Sequence, residues 1–452
     1  MELRNAPPLE RLAMRVPLRA PVFSIVVGGL LLVATQPGQA ADEKVTYYEQ
    51  VAPILQTNCV SCHKPAGKNI GSLVAPMSLT TFEEARPWAR AIARKVKTHE
   101  MPPWFADTPK GVFSNERGLT EKEIDTIVAW ADLGAPGGDK SKELAPPMNA
   151  EAESGGYSLG KPDLIVKMPQ PFFVTDDAQD VQGTFHTLIP EDLLAHDVFV
   201  RAWEFRAGTY MAGKDTVHHM CGGMRPPGFV ANPADDAEAE ASAGLSMGCI
   251  AGGAEPAQLP DGFGMELKKG STITFNMHYY KQSGTGTGYW NQAEVGFYFA
   301  KGPIKYKVRS KSIGTTGFEI PPQKVNYRIG AAETLEKDTL YLAYWPHAHL
   351  RATAARYTAT YPDGHTEVLL NVPRYDQTWQ VTYKYKQPKF LPKGTRIDVE
   401  MLYDNSADRG AKRLFNPNLT VRNGPRTQDE MMLGFVSYVD LEPGQEVPTQ
   451  QQ

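Results

Sequence analysis

Cys59, Cys62 and His63 stand in a C-x-x-C-H arrangement near the start of the chain, and five further histidines gather at His218-His219, His278 and His347-x-His349. The first group has a well-defined chemistry. Two thiols at that spacing add covalently to the vinyl groups of a haem, and the adjacent imidazole is then placed to ligate the iron. A sixth ligand is expected from Met101, because the prolines of Met101-Pro102-Pro103-Trp104 hold an extended loop that can present a thioether. Met77 and His99 are the alternatives. A His/Met pair raises the haem potential, which suits a centre that accepts electrons and passes them on. A single covalent haem c bound by Cys59, Cys62, His63 and Met101 is the expectation.

The later histidines need a different metal. His347 and His349 follow an alternating apolar stretch, and on extended backbone residues i and i+2 share a side, about 6.5–7 Å apart. Two imidazoles so placed can share an ion. Neighbours in a regular strand face opposite ways, so His218-His219 requires an irregular backbone. His278 falls on the strand face opposite Ile273, Phe275 and Met277. Histidines without clustered carboxylates exclude a calcium or magnesium cage and favour copper or zinc. The run Asp429-Glu430-Met431-Met432 supplies thioethers, soft ligands that prefer Cu(I). No H-E-x-x-H general base accompanies these histidines, which argues against a zinc hydrolase. His186, His196 and His365 lack such partners and are expected to be structural or surface residues.

These groups must be positioned by more than one folding unit, since 452 residues exceed a single ordinary core. A helical pattern covers residues 45–138. Val51, Ile54 and Leu55 share a face before the haem motif, Trp88, Ile92 and Val96 recur every four residues, and Thr120 with Glu123 has capping-box spacing. That last helix carries Ile124, Ile127, Val128 and Ala131 on one stripe and is expected to stop at Gly134. Residues 139–160 read as a linker. Beyond it, short alternating runs between turn residues predict β-structure, clearest at Asp197–Arg206, Ser271–Tyr280, Thr339–Trp345, Trp379–Tyr385 and Arg396–Leu402. Lys269-Gly270 and Lys393-Gly394 lead into similar strands, with His278 of the first matched by Leu402 of the second. This predicts two related β-domains in tandem, over residues 161–305 and 306–445.

The N-terminus points outside the cytoplasm. Arg4, Arg11, Arg15 and Arg19 form a basic leader, Val22 to Ala34 an apolar run, and Gly38-Gln39-Ala40 a small-residue cleavage site, so residues 1–40 are expected to be a signal peptide. The apolar run is shorter than the roughly 20 residues that span a bilayer, so no stable span is expected after cleavage. A periplasmic or secreted protein follows. Four cysteines minus the haem pair leave Cys221 and Cys249, which favours a disulfide in an oxidising compartment, with metal ligation as the alternative. A net charge of -4 without long basic runs excludes a nucleic-acid binder.

Two resemblances give these observations a family context. Residues 45–138 resemble class I c-type cytochromes. Over roughly residues 160–445, His218-His219-Met220, His278-Tyr279, His347-x-His349 and Asp429-Glu430-Met431, in that order, resemble the copper type II, ascorbate-dependent monooxygenases. That family includes peptidylglycine α-hydroxylating and dopamine β-monooxygenases. The resemblance implies two tandem jelly-roll-type β-sandwiches following the small all-α domain. It implies an electron-transferring copper on His218, His219 and His278, and an oxygen-activating copper on His347, His349 and Met431. It also places a disulfide between Cys221 and Cys249. In the peptide-amidating members an Arg precedes the His-x-His by two residues, and an Asn and a Tyr follow the copper Met by two and four. Trp345, Leu433 and Phe435 hold those positions here, so a carboxylate substrate would lose its partners and an apolar or aromatic one fits better. The expected activity is hydroxylation of a substrate C–H bond with O2. Electrons from an ascorbate-like reductant or a periplasmic redox protein would pass through the haem to the first copper. The rival reading is a haem/copper electron-transfer or copper-binding protein without turnover.

Overall fold

Helices dominate the N-terminal part of the described chain and strands the rest, apart from a short helix at Ala407–Arg413, and two capping boxes mark where helices begin. The computed structural model describes residues 45–63, 75, 77–145, 157–208, 217–231, 245–250 and 256–448. The predicted signal over residues 1–40, residues 146–156 of the predicted linker and the side chain of His218 lie outside the described residues. A π-helical turn at Tyr47–Val51 runs into α1 (Ala52–Asn58), whose proline lies in the first turn, where its missing N–H costs nothing. Thr81 with Glu84 caps α2 (Phe82–Ala85), and Thr120 with Glu123 caps α4 (Glu121–Asp132). Between them, α3 (Ala89–Lys97) buries Ile92 and Val96 against Ile127 and Trp130 of α4. Trp88 departs from the expected stripe. It ends a 3-10 turn whose tighter winding carries the ring to the surface, 41% exposed. α4 stops where expected, with Gly134 at φ 82°. The first part of the predicted linker packs back on this unit, where Gln56 donates to the Ala145 carbonyl at 2.8 Å and Lys142 pairs with Glu49.

Sixteen principal strands follow. The first eight are β1 (Leu164–Lys167), β2 (Asp180–Leu188), β3 (Val198–Arg206), β4 (Val217–Arg225), β5 (Leu245–Ile250), β6 (Phe263–Leu267), β7 (Thr272–Tyr280) and β8 (Glu294–Phe299). The next eight are β9 (Arg309–Gly314), β10 (Tyr327–Thr334), β11 (Thr339–His347), β12 (Ala352–Thr360), β13 (Thr366–Val372), β14 (Tyr383–Leu391), β15 (Arg396–Tyr403) and β16 (Leu433–Asp440). They pair antiparallel in four sheets.

Sheet β1-β8-β3-β6 faces sheet β2-β7-β4-β5 across one core, and β9-β16-β11-β14 faces β10-β15-β12-β13 across another. Adding eight to each strand of the first module yields the second. The match reaches individual residues. Ile273, Phe275, Met277 and Tyr279 of β7 point into the first core, and Ile397, Val399, Met401 and Tyr403 of β15 into the second. Asp197 accepts from the Lys269 amide, and Asp338 from the Lys393 amide, each at 2.8 Å. A large region of several antiparallel sheets therefore follows a helical N-terminal region.

Two departures from the expected strands shape the site. β14 begins at Tyr383, four residues later than expected, because the Asp376 side chain turns the chain at Thr378 and its carbonyl holds the Trp379 amide. It then continues through Pro388, which an edge strand tolerates. β11 is buried along its whole length. Leu340 and Leu342 enter the core of the first module, while Tyr341 and Tyr344 enter that of the second. A shift in register between Tyr341 and Ala343 accommodates both.

The helical region is fastened to the second module. Phe113 bridges Tyr385 at the β14 edge, Ser114 donates to the Lys384 carbonyl at 2.8 Å and Lys386 to the Val112 carbonyl at 2.9 Å. Trp104 and Phe113 sit within the second core. An exposed edge is thus covered by the chain's own segment. Among the described residues no helix is long and apolar enough to cross a membrane.

Candidate metal centres

The haem motif closes the end of α1. The Cys62 and His63 amides both reach back to the Cys59 carbonyl, at 3.1 and 2.9 Å, so thiols and imidazole leave one turn of backbone. Cys59 and Cys62 take no part in a disulfide, which leaves both sulfurs for the haem vinyl groups. His63 Nδ1 lies 3.1 Å from the Met77 carbonyl. A carbonyl only accepts, so Nδ1 carries the proton and the lone pair sits on Nε2. Burial holds His63 below its ordinary range, which keeps the ring neutral. Two thiols and an imidazole with its lone pair directed away from an anchoring bond fit a covalent haem. Met101 follows α3, half-buried, with its amide on the Lys95 carbonyl. Met77 is half-buried in the helical core, and His99 is exposed with a φ of 51°.

The remaining candidate ligands meet between the two β-modules. β4 carries a bulge between Val217 and His219, at His218, and His219 becomes the direct cross-strand partner of His278 on β7. Their ring centroids are 4.8 Å apart. His347 ends β11, and its ring lies 5.4 Å from that of His349 and 6.1 Å from that of His219. The two expected sets therefore adjoin. Among the described residues no three His, Cys, Asp or Glu side chains converge into a metal cage by themselves.

Beside the His347–His349 pair the nearest further candidate donor is a sulfur. His347 Nδ1 contacts Gln380 Oε1 at 2.6 Å, and Nε2 lies 3.1 Å from Met431 Sδ. Burial lowers His347 to about 4, so the ring carries one proton. With that proton on Nδ1 for Gln380, two lone pairs confront each other across 3.1 Å, an arrangement a cation relieves. An N/S donor set suits copper.

Outer residues hold each ring, and composition alone did not reveal them. Asp180 Oδ1 lies 2.7 Å from His278 Nε2, which places the lone pair on Nδ1. His349 Nδ1 donates to the Asp429 carbonyl at 3.1 Å. Glu430 is fully buried and accepts from the amides of His349 at 2.8 Å, Arg351 at 2.5 Å and Met431 at 3.3 Å. One carboxylate thereby ties the His-x-His segment to Met431. Burial pushes it up to about 7, against the pull of those amides and of Arg351. Tyr375 and Tyr403 hold the carbonyls of Ala348 and Met431, at 2.9 and 2.6 Å. Signals for these partners were weak. Only Asp429 and Glu430 lie inside one of the sequence motifs.

Beside the rings lies an apolar wall. Trp345 packs 5.0 Å from His347 and 4.7 Å from Phe435, and clusters with Leu433, Met431 and Cys249. Cys221 and Cys249 are opposite one another on β4 and β5 and form the expected disulfide.

Comparison with known proteins identifies the first of these regions. Residues 49–131 match the family model described as Cytochrome c, so this stretch is a haem c electron-transfer domain. No curated protein matches the chain. Among solved structures, it is similar to the infectious bursal disease virus VP2 subviral particle, at 10% identity over 62% of this chain and 73% of that one, with a TM-score of 0.18. A second is the N-terminal CBM22-1-CBM22-2 tandem domain of Paenibacillus barcinonensis Xyn10C, at 10% identity, 64% and 95% coverage and a TM-score of 0.13. Superpositions that loose carry no structural argument. A cytochrome c domain and a disulfide fit an extracytoplasmic protein.

Proposed function

We propose that the chain is an exported copper-dependent monooxygenase supplied with electrons through its own haem c. It hydroxylates a C–H bond of a small apolar or aromatic molecule with O2, the second oxygen atom leaving as water. The observation that carries this reading is the pairing of His347 Nε2 with Met431 Sδ at 3.1 Å, beside His349 and within ring contact of His219, which in turn contacts His278. In this reading one copper is held by His347, His349 and Met431, and another by His218, His219 and His278. Copper supplies one-electron exchange and O2 activation when bound. The identical strand order of the two modules supports assignment to tandem jelly rolls.

Each surrounding residue has a definite task. Gln380 and Asp180 fix which ring nitrogen of His347 and His278 faces the metal. Glu430 keeps His349 and Met431 in register. Trp345, Leu433 and Phe435 offer the substrate an apolar wall and exclude water from the reacting bond. The electron donor is an ascorbate-like reductant or a periplasmic redox protein.

Substituting Met431→Leu tests the reading. Screening metabolites for a product labelled from isotopic O2 should find turnover in the wild type and none in the variant, with haem redox cycling intact. Labelled product from M431L at the wild-type rate would refute the assignment. A wild type that cycles its haem but labels nothing would instead be an electron carrier.

A further inference from the structure

Trp104 and Phe113 belong to the cytochrome c domain yet are buried in the second β-module. Their rings are 6.0 Å apart, and Phe113 stacks on Tyr385 at 5.3 Å. Tyr385 lies 5.4 Å from Tyr344, with their hydroxyls 3.3 Å apart. Tyr344 is bonded through the backbone to Trp345, whose ring is 5.0 Å from His347. A shorter leg runs from Trp104 to Tyr383 at 5.0 Å, and Tyr383 is the cross-strand partner of Tyr344. Trp104 itself follows Met101 by three residues. Aromatic contacts, with one backbone step from Tyr344 to Trp345, thus lead from the haem-bearing domain to one particular histidine.

We propose that this aromatic series is the electron path from haem c to the metal at His347, His349 and Met431, so that electrons enter at the second ligand set rather than the first. The proposal rests on the metal assignment above. One electron leaves the ferrous haem, which becomes ferric, and a cupric ion at that set takes it up to become cuprous. No bond is made or broken in the aromatic residues. The segment bonded to β14 serves the same end, because it holds donor and acceptor at a fixed separation.

The test uses the full-length protein carrying haem and copper, without O2. The haem is reduced by a light flash and its reoxidation followed by absorbance, in wild type, Trp104→Leu, Trp104→Phe, Tyr385→Leu and Tyr385→Phe. The Leu variants should transfer about tenfold more slowly or worse, and the Phe variants within a few-fold of wild type. Metal analysis and hydrogen exchange at the Ser114 and Lys386 amides accompany each rate, to show that copper and docking persist. Should Trp104→Leu undock or misfold, Tyr385→Leu decides. Wild-type rates in docked, copper-loaded Leu variants would overturn the path while leaving the metal assignment standing. A wild-type protein that binds no copper would overturn both.

Discussion

The two β-modules share a strand order, yet they present their candidate ligands from different sheets. In the first, His219 and His278 are cross-strand neighbours on β4 and β7. The corresponding positions of the second, on β12 and β15, hold Ala354 opposite Leu402. The second module instead offers His347 from the end of β11, on the facing sheet, with His349 and Met431 from the adjoining loops. Equivalent scaffolds thus meet through non-equivalent faces. Strand-borne donors take their geometry from the ladder itself, whereas loop-borne donors need a separate clamp, here Glu430. The disulfide is likewise confined to the first module.

The largest effect is expected from removing the disulfide. Cys221→Ser with Cys249→Ser frees a loop closed over 28 residues and should cost about 3–4 kcal/mol, read as a lowered unfolding midpoint. Unfolding probes placed in the second module should move less than those in the first.

Next comes the clamp. Burial raises the Glu430 carboxyl from 4.5 to about 7, so its protonated form favours the folded state. That contribution is complete below pH 4.5 and lost as pH rises through 7. Glu430→Gln cannot titrate. In copper-free protein the stability of wild type relative to E430Q should fall by about 3 kcal/mol across that interval. A pH-independent difference in denaturant titrations would show that the clamp stays ionised throughout.

Writing the second module into the first is expected to do somewhat less. Under the proposed copper assignment, His278→Leu removes a direct donor, and since outer partners alone are worth 10–100-fold, copper affinity at the first set should drop by about a hundredfold or more. Retained affinity in a chelator competition would remove His278 from the ligand set. The reciprocal change, Leu402→His, should shift stability by about 1 kcal/mol or less and add no copper, because Ala354 offers no second donor. A gain in bound copper would mean that the strand ladder alone suffices.

Much of the architecture was legible because it rests on local rules. The capping box at Thr120, the stop at Gly134 and the inward row on β7 each follow from a few neighbouring residues. β11 starts at Thr339 as expected and runs two residues past Trp345 to His347. Its alternation did not disclose that both faces are buried, with inward rows serving two cores. β14 was misplaced for a related reason. A proline argues against a strand unless the edge position is known, and edges are defined by pairing.

The haem motif marks the opposite extreme from the histidine cluster. Cys59, Cys62 and His63 are neighbours in sequence, so their chemistry could be read before any fold was considered. The candidate ligand types and the disulfide partners were also contained in the sequence. Folding brings the rings of His219 and His347 within 6.1 Å, sets Asp180, Gln380 and Glu430 to hold the rings and loops, and docks the cytochrome domain on β14. Those contacts join residues tens to hundreds of positions apart. Their partners are chosen by which sheet faces can bury each other, a property no local pattern carries.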